Sequence, residues 1–333
     1  MSLRIGILGC GQMGRRRAQG IRACGDLVSR VYDVDPERAG ELAGQCGARP
    51  ARHVDELFDA VDAVVVATPN GALAPHADRC LERRVPVLVE KPGATEAATL
   101  GSLVRKATKH EVPLQVGYSL VHYPAVRAFL DAAADLGEPL HLRASYGHGG
   151  RPGMDREWRA DPRLSGGGEL LDQGVHLVHL SLLLLGEVGR VQSLLSARAW
   201  GLPVEDTAAL LLAHERGAAV LTVSWSFWKN ELRLDYTGTR GSVHLTGLGG
   251  HYGDSRLVRH RRRTDRAGAP DTDELAVPPG SVWDQEWLDF RELVRRGGPG
   301  NGELAVSVLR VVEKARTTPL TSSSHTPPGG SDG

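Results

Sequence analysis

An apolar run at residues 3–8 breaks directly into Gly9-Cys10-Gly11-Gln12-Met13-Gly14, and no other stretch limits the possible fold as much. A strand that ends in this spacing and turns straight into a helix is a pyrophosphate-binding turn. Gly9 permits the tight bend, Gly11 brings backbone up to the phosphates, and Gly14 lets the helix lie close on the strand. Asp33 closes a second apolar run, near the ~20-residue offset of an acid that binds the adenosine ribose. Its carboxylate would accept bonds from ribose hydroxyls and repel a 2′-phosphate, so NAD is expected rather than NADP. Arg38 is the residue that could reach a 2′-phosphate instead.

Strand and helix patterns alternate from there to about residue 118. Short continuous apolar runs at 5–8, 28–33, 63–67, 85–90 and 114–118 fit strands covered by helices on both faces, as in a doubly wound parallel sheet. Asp35 before Pro36 supplies an N-cap followed by proline at the first helical position. Thr68-Pro69-Asn70 and Glu90-Lys91-Pro92 each end a strand on the carboxyl edge, where ligands of such sheets collect. The cofactor site is therefore read as Gly9, Gly11, Gln12, Met13, Gly14, Asp33, Thr68, Pro69, Asn70, Glu90 and Lys91.

After His122-Tyr123-Pro124 the grammar changes. A helix, a strand and a loop rich in Gly, Arg and Pro lead into Gly166-Gly167-Gly168 and an apolar helix expected over 169–185. Strand patterns at 191–199, 207–213, 218–225, 232–237 and 242–245 then follow without helices between them, which indicates a mostly antiparallel sheet. Two helices, around 283–295 and 303–315, are expected to close this second domain. The charged segment 256–273, with Arg259-His260-Arg261-Arg262-Arg263, reads as an exposed hairpin or loop. The expected fold is α/β: a Rossmann domain at 1–121, a substrate-binding and oligomerisation α/β domain with an open sheet at 122–318, and a disordered tail at 319–333.

Composition narrows the partners. Among 333 residues, 40 Lys and Arg balance 40 Asp and Glu, which argues against nucleic acid or an anionic membrane and favours a small molecule. The four cysteines show no metal-binding spacing and read as free thiols, so no metal site is expected. The first apolar run is too short for a signal sequence, and the longest one, 175–185, falls short of the ~20 residues that span a bilayer. A cytoplasmic location follows as the expectation.

The chemistry can also be read from side chains. Oxidising a secondary alcohol needs a base at the hydroxyl proton and a cation beside the oxygen. Lys91 and His176 suit those roles, and Asp172, four residues before His176, would share its helix face and hold the imidazole.

These residues carry a family resemblance. The glycine turn, Glu90-Lys91-Pro92, Gly117-Tyr118 with Pro124, Gly166 to Asp172 with His176, Asp206-Thr207-Ala208 and Gly238-Thr239-Arg240-Gly241-Ser242 together resemble the glucose-fructose oxidoreductase / inositol dehydrogenase (Gfo/Idh/MocA) family. The resemblance implies an NAD(P)-dependent oxidoreductase that interconverts a ring secondary alcohol and a ketone. It implies Lys91, Asp172 and His176 as catalytic lysine, aspartate and histidine, and a homodimer or homotetramer formed through the second sheet. The chain departs from the pattern at Gly117-Tyr118-Ser119-Leu120-Val121-His122, which lacks a common Asn and Arg. It departs also at Leu73, near the slot of a histidine now found only at His76, and at His179, where an aspartate is common.

Substrate contacts are expected from Tyr118, Arg151, Trp158, Arg159 and His179. The arginines could clamp an acid group and Trp158 could stack on a sugar face. The expected substrate is a sugar, nucleotide sugar or cyclitol. Redox-assisted glycoside cleavage and non-catalytic dinucleotide sensing stand as the alternatives.

Overall fold

The computed structural model describes residues 2–265 and 267–318, so the tail expected at 319–333 lies outside the described residues. The first half builds β1 (Arg4–Leu8), α1 (Gln12–Ala23), β2 (Leu27–Tyr32), α2 (Pro36–Cys46), β3 (Arg49–Pro50), β4 (Ala63–Val66), α3 (Asn70–Glu82), β5 (Val87–Glu90), α4 (Ala97–His110) and β6 (Leu114–Gly117). Its strands are all parallel, in the order β3-β2-β1-β4-β5-β6. Every residue of β4 and β5 is buried, which is why these strands read as unbroken apolar runs. The order reverses between β1 and β4, and the crevice at that switch point opens at the carboxyl ends of the strands.

The second half continues with α5 (Pro124–Ala134), β7 (Pro139–Gly147), α6 (Pro162–Ser165), α7 (Val175–Leu185), β8 (Val188–Ser196), β9 (Thr207–His214), β10 (Gly217–Ser224), β11 (Glu231–Gly238), β12 (Gly241–Thr246), β13 (Arg256–Arg261), β14 (Asp271–Leu275), α8 (Val282–Arg296) and α9 (Gly302–Thr317). The eight strands run β14-β13-β12-β11-β7-β10-β9-β8, antiparallel except for the β7–β10 pair. α5 and α7 cover one face of this sheet. The other face is open and leaves Leu194, Leu211 and Val220 about half exposed. The basic segment forms the β13–β14 hairpin at one edge. Arg259 and Arg261 there meet Asp273, and Arg263 meets Asp271, so three of the four arginines pair with carboxylates of the same hairpin.

Two local features escaped the sequence pattern. β3 is only two residues long and is followed by a 3₁₀ turn at Val54–Phe58, too brief for periodicity to register. The expected helix over 169–185 is not uniform. Leu170–Gly174 forms a π-helical turn, and only then does α7 begin. The i→i+5 bonding of that turn changes the angular spacing on which an i,i+4 argument depends.

Chain order and spatial neighbourhood also part company at α8. Its buried stripe of Trp287, Phe290 and Leu293 joins the core formed by Ile5, Ile7, Ile21 and Val65, so this helix lies on α1 of the first sheet. Gly20 makes the approach possible, because a Cβ there would stand 2.9 Å from the Trp283 carbonyl oxygen. α9 packs against α4, α7 and β8 and bridges the two sheets. Among the described residues no helix is long and apolar enough to cross a membrane.

A buried ion triad pins α8 in place. Arg17 on α1 gives Nε to Glu90 at 2.6 Å and Nη1 to Glu286 at 2.6 Å, with all three side chains out of solvent. Removing the arginine would strand two buried carboxylates. Arg17→Met is expected to cost about 3–5 kcal/mol, measured by urea unfolding. A loss below ~1 kcal/mol would contradict a buried, desolvated triad.

Candidate active site

The glycine turn sits as the crevice requires. Gly9 has φ +97°, and a Cβ there would meet the Ala67 carbonyl oxygen at 2.5 Å. A Cβ on Gly14 would stand 2.0 Å from the Gly9 carbonyl oxygen, whereas one on Gly11 would meet nothing within 4 Å. Gly9 and Gly14 therefore shape the turn, and Gly11 leaves its outer side open. α1 begins at Gln12 and Met13 with no side-chain cap, so its first amides are free to face an anion. The Asp33 carboxylate closes the loop, accepting from the Cys10 amide at 2.6 Å and the Asp35 amide at 3.0 Å. This arrangement fits a dinucleotide.

Further along the same carboxyl edge the side chains turn to other work. Glu90 is held by Arg17 inside the triad. Asn70 gives Nδ2 to the Ser165 carbonyl at 2.8 Å, tying the start of α3 to the end of α6. Pro69 caps that helix, and the Thr68 hydroxyl is buried with no hydrogen-bond partner among the described residues.

Lys91, directly after β5, crosses to the second domain. Its Nζ lies 2.5 Å from Asp172 Oδ1 and 2.5 Å from the Asp172 carbonyl oxygen. Arg159 Nε holds the other carboxylate oxygen at 3.0 Å. Burial alone would raise the Asp172 carboxyl, but the two cations hold it well below the usual carboxylate range. Asp172 was expected to hold His176. In the structure its carboxylate is hydrogen-bonded to Lys91 and Arg159 instead, and it sits in the π turn at Leu170–Gly174 rather than in a plain helix.

His176 lies edge-on between Tyr118, with ring centroids 6.0 Å apart, and Tyr146, at 6.1 Å. Its Nδ1 is buried and unpartnered among the described residues. Burial, followed by the charge of Lys91, pushes the imidazole well below its ordinary value. His179 stacks on Tyr118 with centroids 4.2 Å apart and planes 7° from parallel, and burial drives it down to about 3. The site therefore brings together Lys91, Asp172, His176, Tyr118, His179 and Arg159.

Two expected contacts fall elsewhere. Arg151 is exposed and spends its guanidinium on Glu157 through two 2.7 Å bonds. Trp158 carries the Arg159 guanidinium 4.5 Å over its ring, so that face is taken. Sequence reasoning missed Arg17 and Glu286, whose pairing spans 269 positions, and it missed Glu169. The signal for Glu169 was in plain view, a carboxylate directly after three glycines and three residues before Asp172. The side chain is fully buried with both oxygens unpartnered, and burial together with the Asp172 charge raises it well above the usual carboxylate range. Among the described residues no group of three or more His, Cys, Asp or Glu side chains could hold a metal ion.

Comparison with known proteins agrees with this fold. Residues 3–118 match the oxidoreductase family's NAD-binding Rossmann fold, and residues 124–244 match the GFO/IDH/MocA C-terminal domain. An inositol 2-dehydrogenase 2 from Mycolicibacterium vanbaalenii is 35% identical over 91% of this chain and 88% of its own. A UDP-N-acetylglucosamine 3-dehydrogenase from Acidithiobacillus ferrooxidans is 29% identical over 55% of each chain. Its solved structure superposes with a TM-score of 0.81, covering 96% of this chain and 98% of that one at 22% identity. A 3-ketoreductase from Actinomadura kijaniata, solved with NADP, gives 0.82 at 22% identity over 96% and 98%. The chain belongs to the Gfo/Idh/MocA family of NAD(P)-dependent oxidoreductases, whose members act on CH–OH groups.

Glu169 gives this site a pH signature. A carboxyl whose folded value is raised stabilises fully below its unfolded value, about 4.3, and loses that contribution as pH climbs through the folded one. At neutral pH the native protein therefore carries the cost. Glu169→Gln is expected to raise the melting temperature at pH 7–8 and to leave it nearly unchanged near pH 4. A gain that does not grow with pH would contradict the burial.

Proposed function

We propose that this protein is an NAD-dependent dehydrogenase that interconverts a ring secondary alcohol and a ketone of a sugar, nucleotide sugar or cyclitol. The observation that carries the reading is the Lys91–Asp172 contact, which sets an ammonium from the coenzyme domain against the helix that bears His176. Gly9, Gly11, Gln12, Met13 and Gly14 would cradle the pyrophosphate, with Asp33 at the ribose. When bound, nicotinamide supplies the acceptor or donor of hydride.

The residues of this chain do the rest. Lys91 steadies the charge that grows on the carbinol oxygen, and its bonds to Asp172 fix where that ammonium sits. His176, kept neutral at pH 7 by burial and by the lysine, accepts the hydroxyl proton in oxidation and returns it in reduction. Asp172 acts on the lysine rather than on the histidine, and Arg159 shares the load. Tyr118 stacks on His179 and meets the His176 imidazole edge-on, so both rings border it. The open face of the second sheet, with Leu194, Leu211 and Val220 exposed, supports assembly into a homodimer or homotetramer.

Two measurements check this reading. Lys91→Met is expected to lower kcat by about 10²–10³-fold or more while NADH fluorescence titration shows the coenzyme still binding. Retained turnover would reject the role of the lysine. The Asp33 carboxylate, fixed by two loop amides, opposes a 2′-phosphate. Asp33→Ser should therefore raise the NADP-to-NAD ratio of kcat/KM by about tenfold or more, since placing like charges together costs several kcal/mol. An unchanged ratio would remove Asp33 from cofactor choice.

A further inference from the structure

Three of the six tryptophans, Trp200, Trp225 and Trp228, gather at the end of the second sheet where β7 and β10 finish. Trp225 is fully buried in a small core of Met154, Ala160, Leu202 and Val204, and Trp200 packs on that core. Trp200 gives Nε1 to the Trp225 carbonyl at 2.9 Å, which fixes the indole. Trp228 stands beside it with ring centroids 6.1 Å apart, yet it is 72% exposed.

The backbone is bent to place that ring. Trp228 has φ +58°, a left-handed conformation that a bulky side chain rarely adopts and that signals a constraint other than stability. The facing loop is cut to fit. A Cβ on Gly149 would stand 2.8 Å from the Trp228 Cα, and one on Gly150, at φ +68°, would stand 2.4 Å from the Trp200 ring. The arrangement is also tied to the site by two adjacent residues. Asp206 Oδ2 accepts the Ala199 and Trp200 amides at 2.6 and 3.2 Å, while the Glu205 carbonyl accepts the Glu169 amide at 2.8 Å, where the catalytic helix begins.

We propose that Trp228, braced by Trp200, is an aromatic shelf that stacks on a second, neutral saccharide ring, so that the preferred substrate is a glycoside rather than a free monosaccharide or a nucleotide sugar. This rests on the sugar or cyclitol reading above and narrows it. An exposed indole face suits the apolar side of a pyranose. The arginines of the loop that follows β7 argue against a diphosphate, because Arg151 is paired with Glu157 and Arg159 with Asp172.

The test is saturation-transfer NMR and titration of the NADH-bound enzyme with D-glucose, myo-inositol, cellobiose, maltose, galactinol and UDP-glucose, alongside rates with NAD. At least one disaccharide should bind about tenfold more tightly than its free ring, the gain of one good aromatic contact, with saturation reaching protons of its second ring. Trp228→Ala should erase that advantage and Trp228→Phe should keep most of it. Disaccharides that bind no better than free rings, an advantage untouched by Trp228→Ala, or a Trp228-dependent gain confined to UDP-glucose would overturn the shelf. Absence of turnover with every compound would instead count against the dehydrogenase reading, and the binding arm still decides the shelf.

Discussion

The organising contact is the carboxylate of Asp172 held between Lys91 and Arg159. Lys91 directly follows β5 of the parallel sheet, while Asp172 and Arg159 come from the segment after β7, so one anion with two cationic partners helps tie the two halves of the chain together. Little water reaches it, and a pair with one partner missing would leave an uncompensated buried charge. The contact makes the lysine a fixed feature of the crevice rather than a mobile surface charge. Burial and the charge of Lys91 push the neighbouring His176 imidazole well below its ordinary value.

Support for this contact comes from behind. Lys91 directly follows Glu90, and Glu90 is clamped by Arg17, which also holds Glu286 on α8. Two buried ion clusters therefore flank a single peptide unit, one facing the coenzyme helix and one facing the substrate domain. On the other side, the Glu205–Asp206 dipeptide fastens the start of the catalytic helix and the Trp200 loop together. The reactive groups thus stand on elements whose ends are tied by polar bonds that burial makes costly to break.

Much of this was legible in the chain. The doubly wound sheet announced itself because fully buried strands such as β4 and β5 are continuous apolar runs, and the glycine turn has a fixed geometric purpose. The antiparallel sheet showed in alternating strands without helices between them. Lys91, Asp172 and His176 stood out as candidates because strand ends and helix faces have regular spacing, and the structure makes them neighbours. What stayed hidden depends on distant pairing or on broken regularity. Arg17 meets Glu286 across 269 positions, α8 returns to a sheet built from the other end of the chain, and the π turn at Leu170–Gly174 interrupts the plain helix that the spacing assumed. Arg151 looked like a ligand clamp only because its partner Glu157, six residues on, was not weighed against it.

The central claim is that the ammonium of one domain and the imidazole of the other face the same reactive carbon. A crystal structure of the enzyme with NADH tests it most directly. The account predicts the Lys91–Asp172 contact retained and both Lys91 Nζ and His176 lying over the nicotinamide C4. A coenzyme ring bound away from both groups, with either side chain turned to a remote surface, would contradict it.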